Sequence, residues 1–232
     1  MKQLDSPEGK RRYVRAVFAT IADRYDLITV LLSYGQDARW KRTLAELSRA
    51  TPGASALDLA CGTGDIAFAL ADRGARVVGL DITHRMVELA RRKRPHGVAL
   101  VTGDMMALPF AAAQFDIVTT GYGIRNVPVI QPAIAEIARV LRPGGVFLSL
   151  DFNRPVNRVV RGIYLVYLTV VGSALGVLLH RDPDTYRYIA ESIKRYPGAA
   201  AVRDLIVEQG FASCRYIPVL GGLMAIHVAR RE

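Results

Sequence analysis

The sequence predicts an α/β protein built on a Rossmann-like, doubly wound sheet, and three observations predict it. Between residues 54 and 151, short apolar stretches alternate with amphipathic helical stretches, which favours parallel strands covered by helices on both faces. The first strand runs into a glycine turn at residues 61–64 that leads directly into a helix. Carboxylates or glycines follow each later strand, at the edge of a parallel sheet where ligands bind.

The predicted elements follow from local patterns of apolar residues and chain breakers. The five core strands are expected at residues 56–60, 76–81, 98–102, 115–120 and 146–150. Helices over residues 65–72 and 83–94 end at Gly74 and Pro95, and a third helix aligns Ile134 with Leu141. Residues 142–145 (Arg-Pro-Gly-Gly) are expected to form a turn before the fifth strand.

Two further strands near residues 213–217 and 224–229 are joined by a Gly-Gly pair, which indicates a hairpin. The expected sheet is therefore seven-stranded and mostly parallel, with an antiparallel last strand. Residues 10–24 and 37–50 show helical spacing, and residues 26–34 between them look irregular. The expected organisation is one domain over residues 1–232. It comprises an N-terminal helical cap at 10–50, a core at 54–151, an apolar helical insert or lid at 155–197, and a C-terminal helix and hairpin at 199–232.

Composition limits the classes of function without choosing among them. The hydrophobic fraction of 51% supports a substantial core, and the net charge of +10 suits nucleic acid, an anionic membrane or an acidic ligand. Cys61, Cys214 and the four histidines show no disulfide framework and no metal-ligand spacing, so we predict no metal and a reducing, cytoplasmic setting. The N-terminus has no apolar segment of the kind found in a signal peptide.

The strand ends carry groups suited to an adenosine. Asp81 ends the second strand, 17 positions after Gly64, where a carboxylate can accept both ribose hydroxyls. Asp104 follows the third strand and can accept the adenine amino group, with Met105 beside the ring. The glycine turn and Asp81 leave two cofactors open, because both a nicotinamide dinucleotide and S-adenosylmethionine contain that ribose.

Several motifs together resemble a known family. The stretch Leu-Asp-Leu-Ala-Cys-Gly-Thr-Gly at residues 57–64, with Asp81, Asp104 and the segments at 115–118 and 141–145, resembles class I S-adenosylmethionine-dependent methyltransferases. More specific segments resemble the ubiquinone/menaquinone biosynthesis C-methyltransferase family. These are residues 25–27, 32–35, 40–42, 107–110, 121–127 (Gly-Tyr-Gly-Ile-Arg-Asn-Val) and 186–193 (Tyr-Arg-Tyr-Ile-Ala-Glu-Ser-Ile). Ile28-Thr29 replaces the family's usual Met-Asn, and a common histidine before Trp40 is replaced near Asp37. These departures lie on the substrate side.

The resemblance implies a reaction and a set of residues. A ring carbon of a prenylated quinol would attack the sulfonium methyl of S-adenosylmethionine, with a demethylmenaquinol-type acceptor favoured. Arg125 would stabilise the phenolate, Asn126 would orient the ring and Tyr25 would close over it. Asp151 is a candidate general base, with a turn or cap role as the alternative. The residues expected at the cofactor are Asp58, Gly62, Thr63, Gly64, Asp81, Ile82, Asp104, Met105 and Gly121.

Alternatives remain open at this point. One is a class I methyltransferase acting on another lipid, a small phenol or RNA, although the loop after the fourth strand lacks an Asn-Pro-Pro-Tyr-like tetrad. Others are a nicotinamide-dependent oxidoreductase, for which no hydride-transfer constellation is evident, and a non-catalytic assembly protein. The expected partners are the prenylated quinol, a homodimer partner and no nucleic acid. We also expect a cytoplasmic protein peripheral to the inner face of the membrane, contacting it through residues 155–180, where Arg154, Arg158 and Arg161 face anionic headgroups.

Overall fold

The structure, a computed structural model, describes residues 6–94 and 96–232. Its strands are β1 Ser55–Leu59, β2 Arg76–Asp81, β3 Val98–Thr102, β4 Phe115–Gly121, β5 Leu141–Phe152, β6 Phe211–Val219 and β7 Met224–Arg231. They form one seven-stranded sheet in the order β3-β2-β1-β4-β5-β7-β6. The first five strands pair in parallel, whereas β7 runs antiparallel to both β5 and β6. The predicted fold class is confirmed, including the antiparallel last strand.

The helices cover both faces of this sheet. They are α1 Pro7–Ile21, α2 Tyr25–Leu32, α3 Asp37–Leu47, α4 Asp65–Ala71, α5 His84–Lys93, α6 Ile130–Val140, α7 Arg158–His180, α8 Asp184–Arg195 and α9 Ala199–Glu208. Alternation along β1 sends Leu57 into a cluster with Ile134 of α6, and Ala56 into a cluster with Leu44 of α3. The strand order reverses between β1 and β4, which opens a crevice at their carboxyl ends.

Two expectations about local structure were wrong. Residues 26–34 are largely helical, because a 3₁₀ turn at Ala22–Arg24 carries the chain from α1 into α2. Six of the eight residues of this helix are apolar or aromatic, so they do not form the single apolar stripe that would mark a helix in the sequence. Residues 142–145 are a bulge inside β5 instead of a turn before it. Leu141 pairs with Phe115 and Val146 with Ile117, and the residues between them are accommodated by Gly144 in the left-handed region.

The expected apolar insert consists of α7 and α8. One face of α7 carries its buried residues, Tyr164, Leu168, Gly172 and Gly176, at a spacing of four. A side chain at Gly172 or Gly176 would meet the backbone of Tyr186 or Asp182, so the glycines allow α8 to approach closely. By length and composition α7 could cross a membrane, but it packs along α8 in this structure. Within the most apolar 18-residue window of α7, 22% is buried, so most of that window is accessible to solvent.

Candidate active site

A cleft lies at the carboxyl ends of the central strands. The loops after β1, β2, β3 and β4 all contribute to its walls, and α1 covers it. Eight of the expected site residues line it: Tyr25, Gly62, Asp81, Ile82, Asp104, Met105, Gly121 and Asn126. The enclosed volume is about 80 Å³, which is small because α1 lies close to the strand ends. The topology therefore brings residues from four separate loops to one cleft, where the Asp81 and Asp104 carboxylates lie among apolar side chains.

Asp81 organises the floor of this cleft. Its Oδ2 accepts from the Gly62 N–H at 2.9 Å and its Oδ1 accepts from the Thr83 N–H at 2.8 Å. Burial raises the pKa of Asp81, although both backbone donors favour the ionised form. Each carboxylate oxygen has a second acceptor site, so Asp81 can hold the glycine loop and still accept from a ligand hydroxyl.

The two glycines of the turn, Gly62 and Gly64, have different roles. Gly62, with φ of 54°, lines the cleft and presents its backbone there. Gly64 does not line the cleft. Its φ is 92°, and a Cβ at that position would lie 2.5 Å from the ring of Phe68. Gly64 thus serves the turn and the start of α4.

Asp104 lies at the opposite end of the cleft, where Arg11 of α1 reaches it. Arg11 Nη2 is 2.7 Å from Asp104 Oδ2, and Oδ1 accepts from the Met106 N–H. Arg11 also lines the cleft, together with Val14 and Phe18 of the same helix.

A small polar chamber adjoins the cleft at the glycine turn. Asp58, Thr63 and Asp65 line it together with Lys41 of α3. Lys41 Nζ lies 2.6 Å from Asp37 and 2.9 Å from Asp65. Burial opposes the charge of Lys41, but the nearby carboxylates outweigh burial and raise its pKa.

Two expected cofactor residues face this chamber and not the main cleft. The Thr63 hydroxyl donates to Asp26 at 2.6 Å, so it is already engaged by α2. Asp58 accepts from the Thr119 hydroxyl at 2.8 Å. Burial raises the pKa of Asp58 to about 7.

A second, apolar cavity of about 380 Å³ lies beside the cleft. Helices α1, α2, α7 and α8 supply most of its wall. Aliphatic residues share the lining with ten aromatic ones: Phe18, Tyr25, Tyr34, Trp40, Tyr122, Phe152, Tyr164, Tyr167, Tyr186 and Tyr188. Among the described residues that line it, Arg125 is the single charged one. The cavity therefore suits a flat apolar ring that develops negative charge near one edge.

Three aromatic residues separate the two cavities. Phe18, Tyr25 and Tyr122 line both of them, and the two tyrosines also line the polar chamber. Tyr122 has a φ of 61°, in the left-handed region, and its hydroxyl donates to Asp37 at 2.6 Å. Burial raises the pKa of Tyr25 to about 12, so its hydroxyl is neutral at physiological pH.

Arg125 is fixed on every side except the one that faces the apolar cavity. Its Nη1 donates to Asp151 at 2.5 Å and to the Tyr122 carbonyl at 3.0 Å, and its Nε donates to Ser192 at 3.3 Å. The guanidinium carbon stands 4.7 Å from the centre of the Phe152 ring. Burial disfavours the charge, but the Asp151 carboxylate outweighs it and raises the pKa of Arg125.

The geometry does not support Asp151 as a general base. Its carboxylate is buried and also accepts from the backbone N–H groups of Arg125 and Phe152. It lines neither the cleft nor the apolar cavity. Asn126 is equally committed: its Nδ2 donates to the Tyr122 carbonyl at 2.7 Å, and its Oδ1 accepts from the Tyr188 hydroxyl at 3.0 Å.

Sequence reasoning missed four residues of this region: Arg11, Lys41, Tyr122 and Tyr188. Lys41, Tyr122 and Tyr188 were inside quoted motifs, and their polar groups were the available signal. Nothing in the local pattern distinguishes Arg11 from its basic neighbours. Over residues 6–94 and 96–232, no group of three or more His, Cys, Asp and Glu side chains is arranged to hold a metal ion.

Comparison with known proteins gives a family. The model of the ubiE/COQ5 methyltransferase family matches residues 6–231. A demethylmenaquinone methyltransferase of Renibacterium salmoninarum is 37% identical over 219 residues, covering 94% of this chain and 92% of that protein. A ubiquinone/menaquinone biosynthesis C-methyltransferase UbiE of a Shewanella species is 37% identical over 229 residues, covering 95% of this chain and 91% of that protein.

Solved structures agree at the level of the fold. A Haloferax volcanii methyltransferase, solved with an activator protein, has a TM-score of 0.66 at 22% identity, covering 94% of this chain and 96% of that one. An S-adenosylmethionine-dependent methyltransferase of Thermotoga maritima has a TM-score of 0.65 at 17% identity, covering 94% of this chain and all of that one. The family match spans the cleft, the chamber and the apolar cavity alike, and the chain belongs to the ubiE/COQ5 methyltransferase family.

Proposed function

We propose that this methyltransferase moves a methyl group from S-adenosylmethionine to a ring carbon of a prenylated quinol, with a demethylmenaquinol-type acceptor favoured. The observation that carries the proposal is the contact between two unlike cavities. A polar cleft at the strand ends meets an aromatic cavity that contains one charge, Arg125, across a shared wall of Phe18, Tyr25 and Tyr122. The names of the relatives, which concern menaquinone and ubiquinone biosynthesis, support the same acceptor class.

The cleft offers acceptor groups that match the adenosine part of the cofactor. Asp81 presents free acceptor sites for the ribose hydroxyls, and Asp104 can accept the adenine amino group, with Ile82 and Met105 beside it. The chamber containing Asp58 and Lys41 offers charges of both signs for the amino and carboxylate groups of the methionine end. When bound, S-adenosylmethionine would supply an electrophilic methyl group.

Arg125 is the residue to which we assign charge stabilisation. A quinol carbon becomes nucleophilic when the neighbouring hydroxyl loses its proton, and a phenol has a pKa near 10 in water. A fixed guanidinium at the edge of the ring lowers that pKa and stabilises the phenolate. Asp151 keeps Arg125 charged and oriented, which makes Asp151 a positioning residue in our proposal.

Asn126 and Tyr25 complete the proposed site as positioning groups. Asn126 ties the Tyr122 carbonyl to the Tyr188 hydroxyl and so links two walls of the apolar cavity. Tyr25 stands between the cavities as a neutral phenol and limits how the acceptor ring can approach the methyl donor. Catalysis then depends on positioning in a water-poor pocket together with the charge of Arg125.

We further propose that the chain works as one domain in the cytoplasm and rests peripherally on the inner face of the membrane through residues 155–180. The apolar, largely exposed α7 supports this location. A homodimer stays a prediction for sedimentation analysis. Deleting residues 163–179 is a poor test of membrane contact, because α7 also lines the apolar cavity and packs on α8.

The decisive experiment offers the purified protein labelled S-adenosylmethionine and a panel of demethylated benzoquinols and naphthoquinols. We expect mass spectrometry to locate one new methyl group on a ring carbon of one quinol class. Calorimetry should detect S-adenosylmethionine binding and no tight NADH binding. Tight binding of NADH alone, or methylation only of oxygen or nitrogen atoms, would contradict the proposal.

Arg125→Lys tests the assigned role without leaving Asp151 unpaired. The lysine keeps the charge but loses the planar fork that holds Asp151 and the Tyr122 carbonyl. We expect turnover to fall at least tenfold while the S-adenosylmethionine Kd stays within threefold. The matched control is Arg142→Lys. Arg142 forms an exposed ion pair with Asp116 near the amino-terminal end of β4, at the opposite end of the strands from the site. Near-normal turnover of Arg125→Lys would refute the role.

A further inference from the structure

The exposed apolar side chains concentrate on two helices that are distant in sequence. On α2 they are Leu27, Val30 and Leu31, followed by Tyr34 just beyond the helix. On α7 and its approach they are Val156, Val159, Val160, Ile163, Val166, Val170, Val177 and Leu178. Exposed apolar side chains that are concentrated in this way are typical of surfaces that bind a partner or a membrane. We call the two sets together the α2–α7 rim.

The rim surrounds the opening of the apolar cavity. Residues that line a cavity and are also exposed to solvent mark its mouth, and Tyr34, Val160 and Ile163 meet both conditions. Tyr34 is 62% exposed and Ile163 is 68% exposed. The Tyr34 ring stacks on the Tyr167 ring at a centroid distance of 6.1 Å, which joins the end of α2 to α7 across the mouth. The cavity therefore opens between these two helices.

The charges around the rim are of one sign where the mouth lies. No acidic residue occurs between Phe152 and Arg181, and no charged residue between Asp26 and Asp37. Arg154, Arg158 and Arg161 stand at the end of α7 nearest the mouth. At the far end, Arg181 is accompanied by Asp182 and Asp184, so that end has no positive excess. An anionic surface would be attracted to the mouth end.

We propose that the α2–α7 rim lies in the interface of an anionic lipid bilayer, so that the cavity opens into the acyl region. A quinol would then slide from lipid into the cavity without passing through water. The proposal rests on the prenylated acceptor proposed above and extends it, because it adds α2 and fixes the orientation of the mouth. At about 1.5 Å per residue, the 23 residues of α7 form a rod of roughly 35 Å lying in the membrane plane.

The size of the cavity favours a bilayer over other occupants of the rim. Its 380 Å³ lies near the lower end of ligand pockets, about 300 to 1,000 Å³, and suits a ring with a short piece of tail. The rest of a long prenyl chain has to leave through the mouth past Tyr34 and Ile163. Lipid acyl chains around the rim would cover that tail continuously, whereas water would not.

The test uses triple variants that spare every residue lining the cavity. The α2 variant is Leu27→Gln, Val30→Gln and Leu31→Gln, and the α7 variant is Val159→Gln, Val166→Gln and Val170→Gln. Val207→Gln on α9, which is exposed to a similar degree, is the control. Flotation uses vesicles of phosphatidylcholine with one-third phosphatidylglycerol, with melting curves and S-adenosylmethionine titration as checks of folding.

We expect the full-length protein and Val207→Gln to float with these vesicles, and each triple variant to bind at least tenfold more weakly. Both variants should still methylate a quinol with a one-isoprene tail added from solution. They should lose most turnover on a long-tailed quinol embedded in vesicles. Undiminished binding by the α2 variant would overturn the proposal, since the mouth would then lie off the membrane.

Two further outcomes separate this proposal from its foundation. If the full-length protein methylates no quinol of either tail length, the proposed function fails whatever the flotation result. A different result is that the unsubstituted protein sediments as a dimer and does not bind vesicles, while both triple variants sediment as monomers. In that case a second copy of the chain covers the rim. That result would overturn the membrane proposal while leaving the chemistry intact.

Discussion

The polar cleft and the apolar cavity share a wall, yet different forces hold them in shape. The cleft is built from strand ends, where carboxylates such as Asp81 accept from backbone N–H groups of neighbouring loops. The cavity is built from four helices that meet through aromatic and aliphatic packing, and Arg125 is the one charged residue among the described residues that line it. The structure of the cleft therefore depends on hydrogen bonds to ionised groups, whereas that of the cavity depends on the packing of apolar side chains.

Because different forces shape the two regions, the binding of the two substrates can be altered separately. Substitutions at the strand ends should change cofactor affinity and its dependence on pH, with little effect on the acceptor. Substitutions in α2, α7 or α8 should change acceptor binding and leave the cofactor in place. The departures from the family pattern lie on the acceptor side. Ile28 and Thr29 of α2 line the apolar cavity, and Asp37 of α3 accepts from the hydroxyl of Tyr122 in the cavity wall.

Asp58 should have the strongest effect, on the pH dependence of stability. Its pKa is about 7 in the folded protein and near 3.8 when unfolded, so the native state binds the extra proton between those values. Stability is therefore fully present below pH 3.8 and is lost as pH rises through 7. The asparagine side chain of the variant Asp58→Asn cannot ionise. As pH rises from 5 to 8, the unfolding free energy of Asp58→Asn should therefore increase by about 3 kcal/mol relative to that of the parent protein.

Urea unfolding at several pH values measures this difference, and Asp116→Asn is a control of opposite sign. Ser55 and Arg142 lower the pKa of Asp116 despite some burial, so its stabilising effect is lost as pH falls. A difference between Asp58→Asn and the parent that stays flat from pH 5 to pH 8 would contradict the prediction. It would mean that the buried carboxylate is paired better than its hydrogen bond to Thr119 indicates.

The next effect is on cofactor binding through Asp81. Asp81→Ala removes the acceptor of two backbone N–H groups and the proposed ribose contact. Hydrogen bonds to charged groups contribute about 1.5 to 3 kcal/mol each, so calorimetry should show S-adenosylmethionine binding weakened about 100-fold. Asp204→Ala, in an exposed contact on α9, should bind normally. Retained affinity in Asp81→Ala would show that the cleft does not hold the ribose there.

These two regions also differ in how far sequence could predict them. The cleft follows from local signals: strand ends, a glycine turn and carboxylates at known offsets from them, such as Asp81 and Asp104. The cavity depends on contacts between residues far apart, such as Phe18, Tyr122 and Tyr186, and no local pattern encodes that meeting. Arg11 reached the cleft for the same reason, because helix α1 docks over strand ends that come more than ninety positions later.

A smaller effect tests the packing that shapes the cavity. A methyl group at Gly176 would lie 2.3 Å from the Asp182 carbonyl oxygen, which belongs to the backbone and has little freedom to move. Gly176→Ala should cost about 1 to 3 kcal/mol and lower the melting temperature by several degrees. The KM for the quinol should rise, because α7 lines the cavity, while the Kd of S-adenosylmethionine stays unchanged.

Gly162→Ala is the matched control on the same helix. A Cβ there meets no atom within 4 Å, so the change should be neutral or stabilise α7 by up to about 1 kcal/mol through helix propensity. If Gly176→Ala and Gly162→Ala have the same melting temperature, the close approach of α7 and α8 does not determine the shape of the cavity. The distinction between a cavity held by packing and a cleft held by polar contacts would then fail.

The smallest effect lies at the border between the two regions, where Arg11 of the helical cap pairs with Asp104 of the cleft. The Arg11 side chain is largely exposed, and such pairs contribute about 0 to 1 kcal/mol, so Arg11→Ala should change the cofactor Kd by less than about fivefold. The association rate should rise, because the pair narrows the cleft and occupies the carboxylate proposed for the adenine. Stopped-flow measurements with S-adenosylmethionine, compared with the neighbouring Arg12→Ala, test this. A slower association would show that Arg11 attracts the cofactor and does not obstruct it.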